Sequence, residues 1–121
     1  MYKVHQDNEL LEVSFESPVY SMGEESIPQL SVSASRDASG KVYVSICNIS
    51  HADNAALSIE LVGTSARTIN GQILTHSDLN AHNTFETPAT VAPAVFEGAS
   101  LKNGVLDCQL PPASVVVLTL E

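Results

Sequence analysis

Apolar and polar residues alternate with a period of two along most of this chain, and the alternation restarts several times. In residues 30–35, for example, the apolar positions alternate with Ser31, Ser33 and Ser35, which we expect to face outward. Successive side chains of a β-strand point to opposite faces, so this pattern is typical of strands with one face on a core. The predicted strands are residues 11–16, 30–35, 41–48, 57–61, 67–75, 106–110 and 113–120.

Turn residues separate these predicted strands. Residues 37–40 (Asp-Ala-Ser-Gly) begin with an Asp that favours a turn and end with a Gly that tolerates positive φ, which predicts a hairpin between the second and third strands. Short strands spaced by roughly 8–12 residues favour an antiparallel sandwich, because a parallel sheet needs intervening helices. Only residues 2–6 have the pattern of a helical turn, and residues 17–28 are interpreted as a connecting segment. We therefore predict a single all-β domain.

Residues 76–99 form the longest stretch without strand alternation. A connection of this length inside a small sandwich is usually functional or ordered by its own side chains. Its Asn and Asp side chains are expected to hydrogen-bond nearby backbone groups. Phe85, Val91 and Val95 are expected to anchor the segment on the sandwich, and Asn83 is predicted to be its most important polar residue.

Composition limits the possible partners. The chain has 121 residues, of which 44% are hydrophobic, and this is enough to bury one core. The formal charge is -9 and the five cationic residues are scattered, so we expect no nucleic-acid partner. No run approaches the roughly 20 apolar residues of a membrane span, and the N-terminus lacks the apolar core of a signal peptide. Cys47 and Cys108 lie in apolar alternating runs and are predicted to be free thiols.

Candidate catalytic and metal-binding residues are few. His76, Asp78 and His82 are the only cluster of metal-ligand types, and we interpret them as loop residues that hydrogen-bond the backbone. The acidic residues fall on the polar sides of strands or in connecting segments, and no Ser lies in a Gly-x-Ser-x-Gly elbow. His5 and His51 are interpreted as a surface residue and a turn residue. We therefore assign no catalytic residue, no metal and no cofactor.

Exposed aromatic side chains are the usual platform for sugar binding on a β-sandwich. This chain has no Trp. Phe15 and Phe85 are expected in the core, which leaves Tyr2, Tyr20 and Tyr43 as weak candidates. The sequence therefore offers little support for a sugar-binding surface.

Four motifs occur in order along the chain. They are residues 1–6 (MYKVHQ), 30–37 (LSVSASRD), 80–88 (NAHNTFETP, followed by Val91 and Pro93) and 111–118 (PPASVVVL). Taken together, this collinear set closely resembles the C-terminal domain of family 51 α-L-arabinofuranosidases. The resemblance covers nearly the whole chain, which makes it far more specific than any one of the short motifs.

The resemblance implies a two-layer sandwich of jelly-roll-like topology, packed in those enzymes against a (β/α)8 barrel. It divides the chain into residues 1–22, the remnant of the segment that leaves the barrel plus the first strand, and residues 23–121, the C-terminal β-sandwich domain. In that family both catalytic carboxylates lie at the ends of barrel strands, so no catalytic residue carries over. Asn8-Glu9 is similar to the dipeptide that carries the acid/base there, but no barrel surrounds it. The loop residues to which we assign a structural role are Asn80, His82, Asn83 and Phe85.

The leading functional hypothesis is therefore a non-catalytic domain that braces the catalytic barrel of a retaining α-L-arabinofuranosidase. Such an enzyme removes terminal non-reducing α-L-arabinofuranosyl residues. The barrel is the implied partner, self-association is a second contact that stays open, and the resemblance favours the cytoplasm. In that family an N-terminal segment of the enzyme also enters the sandwich, which leaves the completeness of this sheet open. The alternative is a free-standing carbohydrate-binding module, and a third hypothesis is a small autonomous hydrolase.

Overall fold

The computed structural model describes residues 1–121, which form eleven strands and one short 3-10 helix, Tyr2–His5. Strands β1 to β11 span, in chain order, Glu9–Leu11, Val19–Met22, Glu25–Pro28, Leu30–Arg36, Val42–Asn48, Ala55–Glu60, Ile69–Thr75, Ala94–Val95, Ala99–Lys102, Val105–Leu110 and Ser114–Leu120. The four-residue 3-10 helix agrees with the helical turn predicted for residues 2–6. No helix is long and apolar enough to cross a bilayer.

A six-stranded antiparallel sheet, in the order β1-β4-β5-β11-β7-β8, forms one layer of the molecule. Strand β11 lies inside this sheet, where Val116 pairs with Ile46 of β5 on one side and with Ile73 of β7 on the other. Its run of β-branched residues suits such a position, since β-branched side chains pack well on a pleated, half-buried surface. The predicted closing strand is therefore confirmed as a central strand.

A three-stranded antiparallel sheet, in the order β6-β10-β9, forms the second layer. The two layers share one hydrophobic core, to which β10 contributes Leu106, Cys108 and Leu110, and the larger sheet contributes Ile46 and Leu118 among others. Burying a large apolar side chain stabilises a fold by about 1.5–3 kcal/mol, so these central residues dominate the stability of the domain. The predicted all-β antiparallel sandwich is confirmed.

The turn at residues 37–40 has the predicted chemistry. Asp37 Oδ1 accepts hydrogen bonds from the backbone N–H groups of Ser39 and Lys41, at 2.8 and 3.0 Å. Gly40 has a φ of 91°, a conformation that is open to glycine and costly for other residues. The turn joins β4 to β5 as a hairpin, as the sequence predicted.

Two predictions near the N-terminus are wrong. The strand predicted at residues 11–16 ends at Leu11, and Phe15 is 39% exposed rather than part of the core. The segment 17–28, interpreted as a connection, contains the hairpin of β2 and β3. That hairpin is exposed on both faces for most of its length, so it lacks the one-sided burial that produces alternation. It also spans the predicted boundary between residues 1–22 and 23–121, and that division stays a prediction.

The stretch 76–99 contains strand β8 and the start of β9, neither of which the sequence indicated. Strand β8 has only two residues and pairs with the edge of β7. Such a short strand gives too few positions for a period of two to be visible. We refer to residues 76–93, which precede β8, as the 76–93 loop.

Candidate functional site

The N-terminal 3-10 helix lies on the outer face of the six-stranded sheet. The His5 imidazole bonds two serines of adjacent strands, Ser35 Oγ through Nδ1 at 2.7 Å and Ser45 Oγ through Nε2. Asn8 Nδ2 closes the turn by donating to the backbone carbonyl of Val4 at 2.7 Å. The start of the chain is therefore held on the sheet by side-chain hydrogen bonds.

Ser35 and His5 depart from their predicted environments. Ser31 and Ser33 are exposed, as predicted, but Ser35 is buried because the N-terminal helix covers that end of β4. His5 is half-buried rather than a simple surface residue. No local pattern pointed to this contact, because it joins residues that are 30 and 40 positions apart.

Burial alters the acid-base properties of this contact. Desolvation lowers the pKa of His5, which favours the neutral imidazole that bonds both serines. Burial also raises the pKa of Tyr2, and the nearby Cys47 thiol adds to the increase. Burial raises the pKa of Cys47 as well. These groups are therefore neutral at pH 7, and the Cys47 thiol is a poor nucleophile there.

Beyond the helix, the outer face carries a short apolar strip among polar side chains. Cys47, Val115 and Leu74 lie side by side on β5, β11 and β7, and each is half-buried. Val95 of β8 pairs with Gln72 of β7 and lies on the same face. Its side chain is 79% exposed, so the prediction that Val95 anchors the segment on the sandwich is wrong. The outer face therefore offers an apolar strip beside the point where the chain begins.

A groove of about 480 Å³ opens between the two sheets at the β6 side of the sandwich. Leu11, Val13 and Phe15 line one wall, and residues of β4, β5 and β6 line most of the rest. Strand β6 pairs only with β10, so the backbone groups on its other edge have no strand partner. The apolar residues of the strand predicted at residues 11–16 therefore face this groove.

The carboxylates at the groove do not form a glycosidase pair. Glu12 and Glu60 contribute to its lining, and both are exposed. A glycosidase acid must be held protonated at neutral pH, usually by an apolar environment. The exposed surroundings of these two residues do not provide that condition. Glu9, in the Asn8-Glu9 dipeptide, is an exposed residue of β1.

Local hydrogen bonds connect the residues of the 76–93 loop. The Asn83 amide bridges the loop, because Nδ2 donates to Val91 O at 2.9 Å while Oδ1 accepts from Val91 N at 2.7 Å. Asp78 Oδ1 accepts from Asn80 N, and His82 Nδ1 contacts Asn80 O, both at 2.9 Å. No group of three or more His, Cys, Asp or Glu side chains converges in a way that could hold a metal ion.

The prediction that Phe85 anchors the loop in the core is wrong, because its side chain is fully exposed. Phe96, which the sequence analysis missed, is the residue that packs against the core where the chain returns. Its backbone N–H donates to Gly71 O at 2.9 Å. A Cβ on Gly71 would lie 3.1 Å from Phe96 Cβ, so this close approach depends on the glycine. A glycine inside a strand pattern is the signal that points to such a contact.

The tyrosine candidates for sugar binding are engaged in contacts within the chain. Tyr20 OH bonds His51 Nδ1 at 2.9 Å, and Tyr43 OH donates to Asp37 Oδ2 at 3.1 Å. The Tyr2 ring lies 5.8 Å from the His5 ring. These rings hold turns and the N-terminal helix in place, and they do not form one exposed platform.

Comparisons with known proteins agree with this architecture. The family model described as Alpha-L-arabinofuranosidase C-terminal domain matches residues 1–114. An intracellular exo-alpha-L-arabinofuranosidase of Bacteroides ovatus is 34% identical over 122 residues, which cover 100% of this chain and 24% of that protein.

Solved structures give the same result. The GH51 arabinofuranosidase of Xanthomonas axonopodis pv. citri is 32% identical with a TM-score of 0.95, covering 99% of this chain and 24% of that one. The α-L-arabinofuranosidase of Thermotoga maritima, 23% identical with a TM-score of 0.79, shares the fold over 96% of this chain and 26% of its own. The chain thus spans about a quarter of the length of these relatives, and it belongs to the family of α-L-arabinofuranosidase C-terminal domains.

Proposed function

We propose that this chain braces the catalytic (β/α)8 barrel of a retaining α-L-arabinofuranosidase and takes no part in the chemistry. The observation that carries the proposal is the position of the N-terminal 3-10 helix, which His5 holds on the outer face of the main sheet. The family match includes this helix, and the relatives are about four times longer than the matched region. A barrel that precedes Met1 would therefore lie next to the apolar strip of Cys47, Val115 and Leu74.

The chemistry of the parent enzyme belongs to the barrel in this proposal. Hydrolysis of a terminal α-L-arabinofuranosyl residue with retention needs two carboxyl groups about 5–5.5 Å apart, one acting as nucleophile and the other as acid/base. Glu12 and Glu60, which line the groove of this domain, are exposed to solvent rather than placed in the apolar surroundings that such an acid needs. The sandwich instead stabilises the barrel by burying apolar surface, at roughly 25 cal/mol per Å² removed from water.

The groove beside β6 supports a second element of the proposal. An N-terminal segment of the parent enzyme, as in the family that the sequence resembles, pairs with the free edge of β6. Its backbone groups satisfy those of the edge strand, and its apolar side chains fill the groove beside Leu11, Val13 and Phe15. The division into residues 1–22 and 23–121 belongs to the same proposal, as does a structural role for Asn80, His82 and Asn83 in the 76–93 loop.

The name of the Bacteroides ovatus relative places that enzyme inside the cell, and this supports a cytoplasmic location for the parent of this chain. A carbohydrate-binding module is less well supported, because the chain has no Trp and the hydroxyls of Tyr20 and Tyr43 have partners within the domain. Isothermal titration with arabinan oligosaccharides tests this alternative directly. A saturable binding curve would favour the alternative.

The bracing function is tested by removing this domain from the longer enzyme. We expect the catalytic portion to melt at a lower temperature without this domain, because the apolar surface that the domain would cover is then exposed to water. The 121-residue chain, assayed with a chromogenic arabinofuranoside, is expected to show no turnover. Turnover that survives purification and is lost when Glu12 or Glu60 is changed to Gln would show instead that this domain is a hydrolase.

A further inference from the structure

The 76–93 loop makes no hydrogen bond to the body of the sandwich. Every hydrogen bond of residues 76–93 has its partner inside the segment. The Asn83 amide bridges both polar groups of Val91, and Thr84 bonds Thr87 through its backbone and its hydroxyl. The loop is therefore braced from within, and it projects from the sandwich as a preformed unit.

The loop also exposes its two largest apolar side chains. Phe85 is fully exposed and Leu79 is 63% exposed. Single apolar residues on a surface are ordinary, but here they lie on a segment whose backbone has been ordered without burying them. Ordering costs about 1–2 kcal/mol per residue in backbone entropy, and burial of Phe85 within this domain offsets none of it. A preformed loop that presents an aromatic residue is suited to insertion into a partner.

The loop begins close to the point where the rest of a longer chain would enter. Tyr2 lies beside Cys47, which shares a row with Val115 and Leu74 across three adjacent strands. Neighbouring strands are about 4.8 Å apart, so Leu74 is roughly 10 Å from Cys47 along this row. The 76–93 loop starts two residues after Leu74. The start of the chain and the base of the loop therefore lie at the same end of the sheet.

We propose that the 76–93 loop is a docking element and that Phe85 inserts into an apolar pocket on the catalytic portion of the same enzyme chain. This inference rests on the proposed bracing function. The catalytic portion is favoured as the partner because the relatives carry about three quarters of their length outside the matched region. A tethered partner is present at high effective concentration, so a single apolar anchor is enough to fix its orientation.

The test compares variants of the longer enzyme in which this chain is the C-terminal domain. Phe85→Ser removes the anchor. Met22→Ser is the matched control, because Met22 is also an exposed apolar residue, at 73% exposure, and lies on the β2–β3 hairpin. We expect Phe85→Ser to lower the melting temperature of the catalytic portion by at least about 3 °C, and Met22→Ser to leave it unchanged. In the 121-residue chain alone, Phe85→Ser is expected to shift the melting temperature by less than about 1 °C, because the side chain contacts no core residue.

Three outcomes would overturn the inference, and they are distinguishable. If deletion of the whole domain leaves the catalytic portion unchanged, bracing itself is absent and the docking proposal falls with it. If deletion destabilises the catalytic portion but Phe85→Ser and Leu79→Ser do not, bracing stands and docking through this loop is wrong. If Phe85→Ser changes only the oligomeric state measured by light scattering, the partner is a second copy rather than the catalytic portion.

Discussion

At the scale of single residues, the alternation of side chains decides which valines of the last strand are sensitive to substitution. Val116 is completely buried between the two sheets, while Val115 and Val117 point to the outer face. Val117 is also buried, but it lies on the side where the N-terminal helix and its neighbours cover the sheet. A charge introduced at position 116 would therefore lie in the apolar core, while a charge at position 117 would lie on the outer face of the sheet.

We expect Val116→Asp to destabilise the domain by at least about 3 kcal/mol, since an unpaired carboxylate would lose its hydration in the core. Val62→Asp is the matched control, because Val62 is 85% exposed and its substitution should cost within about 0.5 kcal/mol. Thermal unfolding followed by circular dichroism measures both. Equal melting temperatures for the two variants would contradict the assignment of Val116 to the core.

His5 gives the N-terminal contact a defined pH dependence. Burial lowers the pKa of His5 in the folded chain, so the unfolded chain binds this proton more readily. The stability that neutral His5 contributes is present above its unfolded pKa of about 6.5, and it is lost as the pH falls through the lower folded-state pKa. The groups that face the imidazole are Ser35, Ser45, Tyr2 and Tyr43, and burial raises the pKa of both tyrosines, which stay neutral in this range.

His5→Gln should therefore lower the melting temperature at pH 8, and the difference from the unsubstituted chain should shrink as the pH falls below about 6.5. Melting curves recorded between pH 8 and pH 4.5 provide the measurement. Two curves that stay parallel over the whole range would show that protonation of His5 is not linked to folding.

At the scale of elements, the sequence was most informative where one face of a strand is buried. Strands β6, β7 and β10 follow the predicted alternation, and β4 does so up to Ser35, which the N-terminal helix buries. The β2–β3 hairpin escaped prediction because both of its faces are largely exposed. Residues 11–15 alternate because they line a groove, and beyond Leu11 the period of two indicates partial burial without strand pairing.

In the 76–93 loop, hydrogen bonds order the backbone locally but contribute little to the free energy of unfolding of the domain. The Asn83 amide bonds Val91 in an exposed setting, so its removal leaves backbone groups that water can satisfy. We expect Asn83→Ala to reduce the free energy of unfolding by no more than about 1 kcal/mol, while the Val91 amide exchanges faster with solvent. Hydrogen exchange followed by NMR measures this. Unchanged protection at Val91 would contradict the bridging role of Asn83.

At the scale of the whole molecule, the sandwich has two surfaces that its own chain leaves incomplete. One is the groove beside the unpaired edge of β6, and the other is the apolar strip of the outer sheet face with the projecting 76–93 loop. An unpaired edge and exposed apolar side chains such as Phe85 and Leu79 both favour association, so a second polypeptide segment at each place would stabilise the domain. This is the arrangement expected of a domain that works as part of a longer enzyme.

The sequence by itself determined the all-β antiparallel class, the hairpin at residues 37–40 and the family, because period-two burial, turn residues and collinear motifs are all local signals. Only the tertiary structure decided that His5 bonds Ser35 and Ser45, and that Phe96 rather than Phe85 packs against the core. Those contacts join residues far apart in the chain, and their partners depend on how the two sheets and the returning loop are placed. An aromatic residue in a loop has the same local pattern whether it faces the core or the solvent.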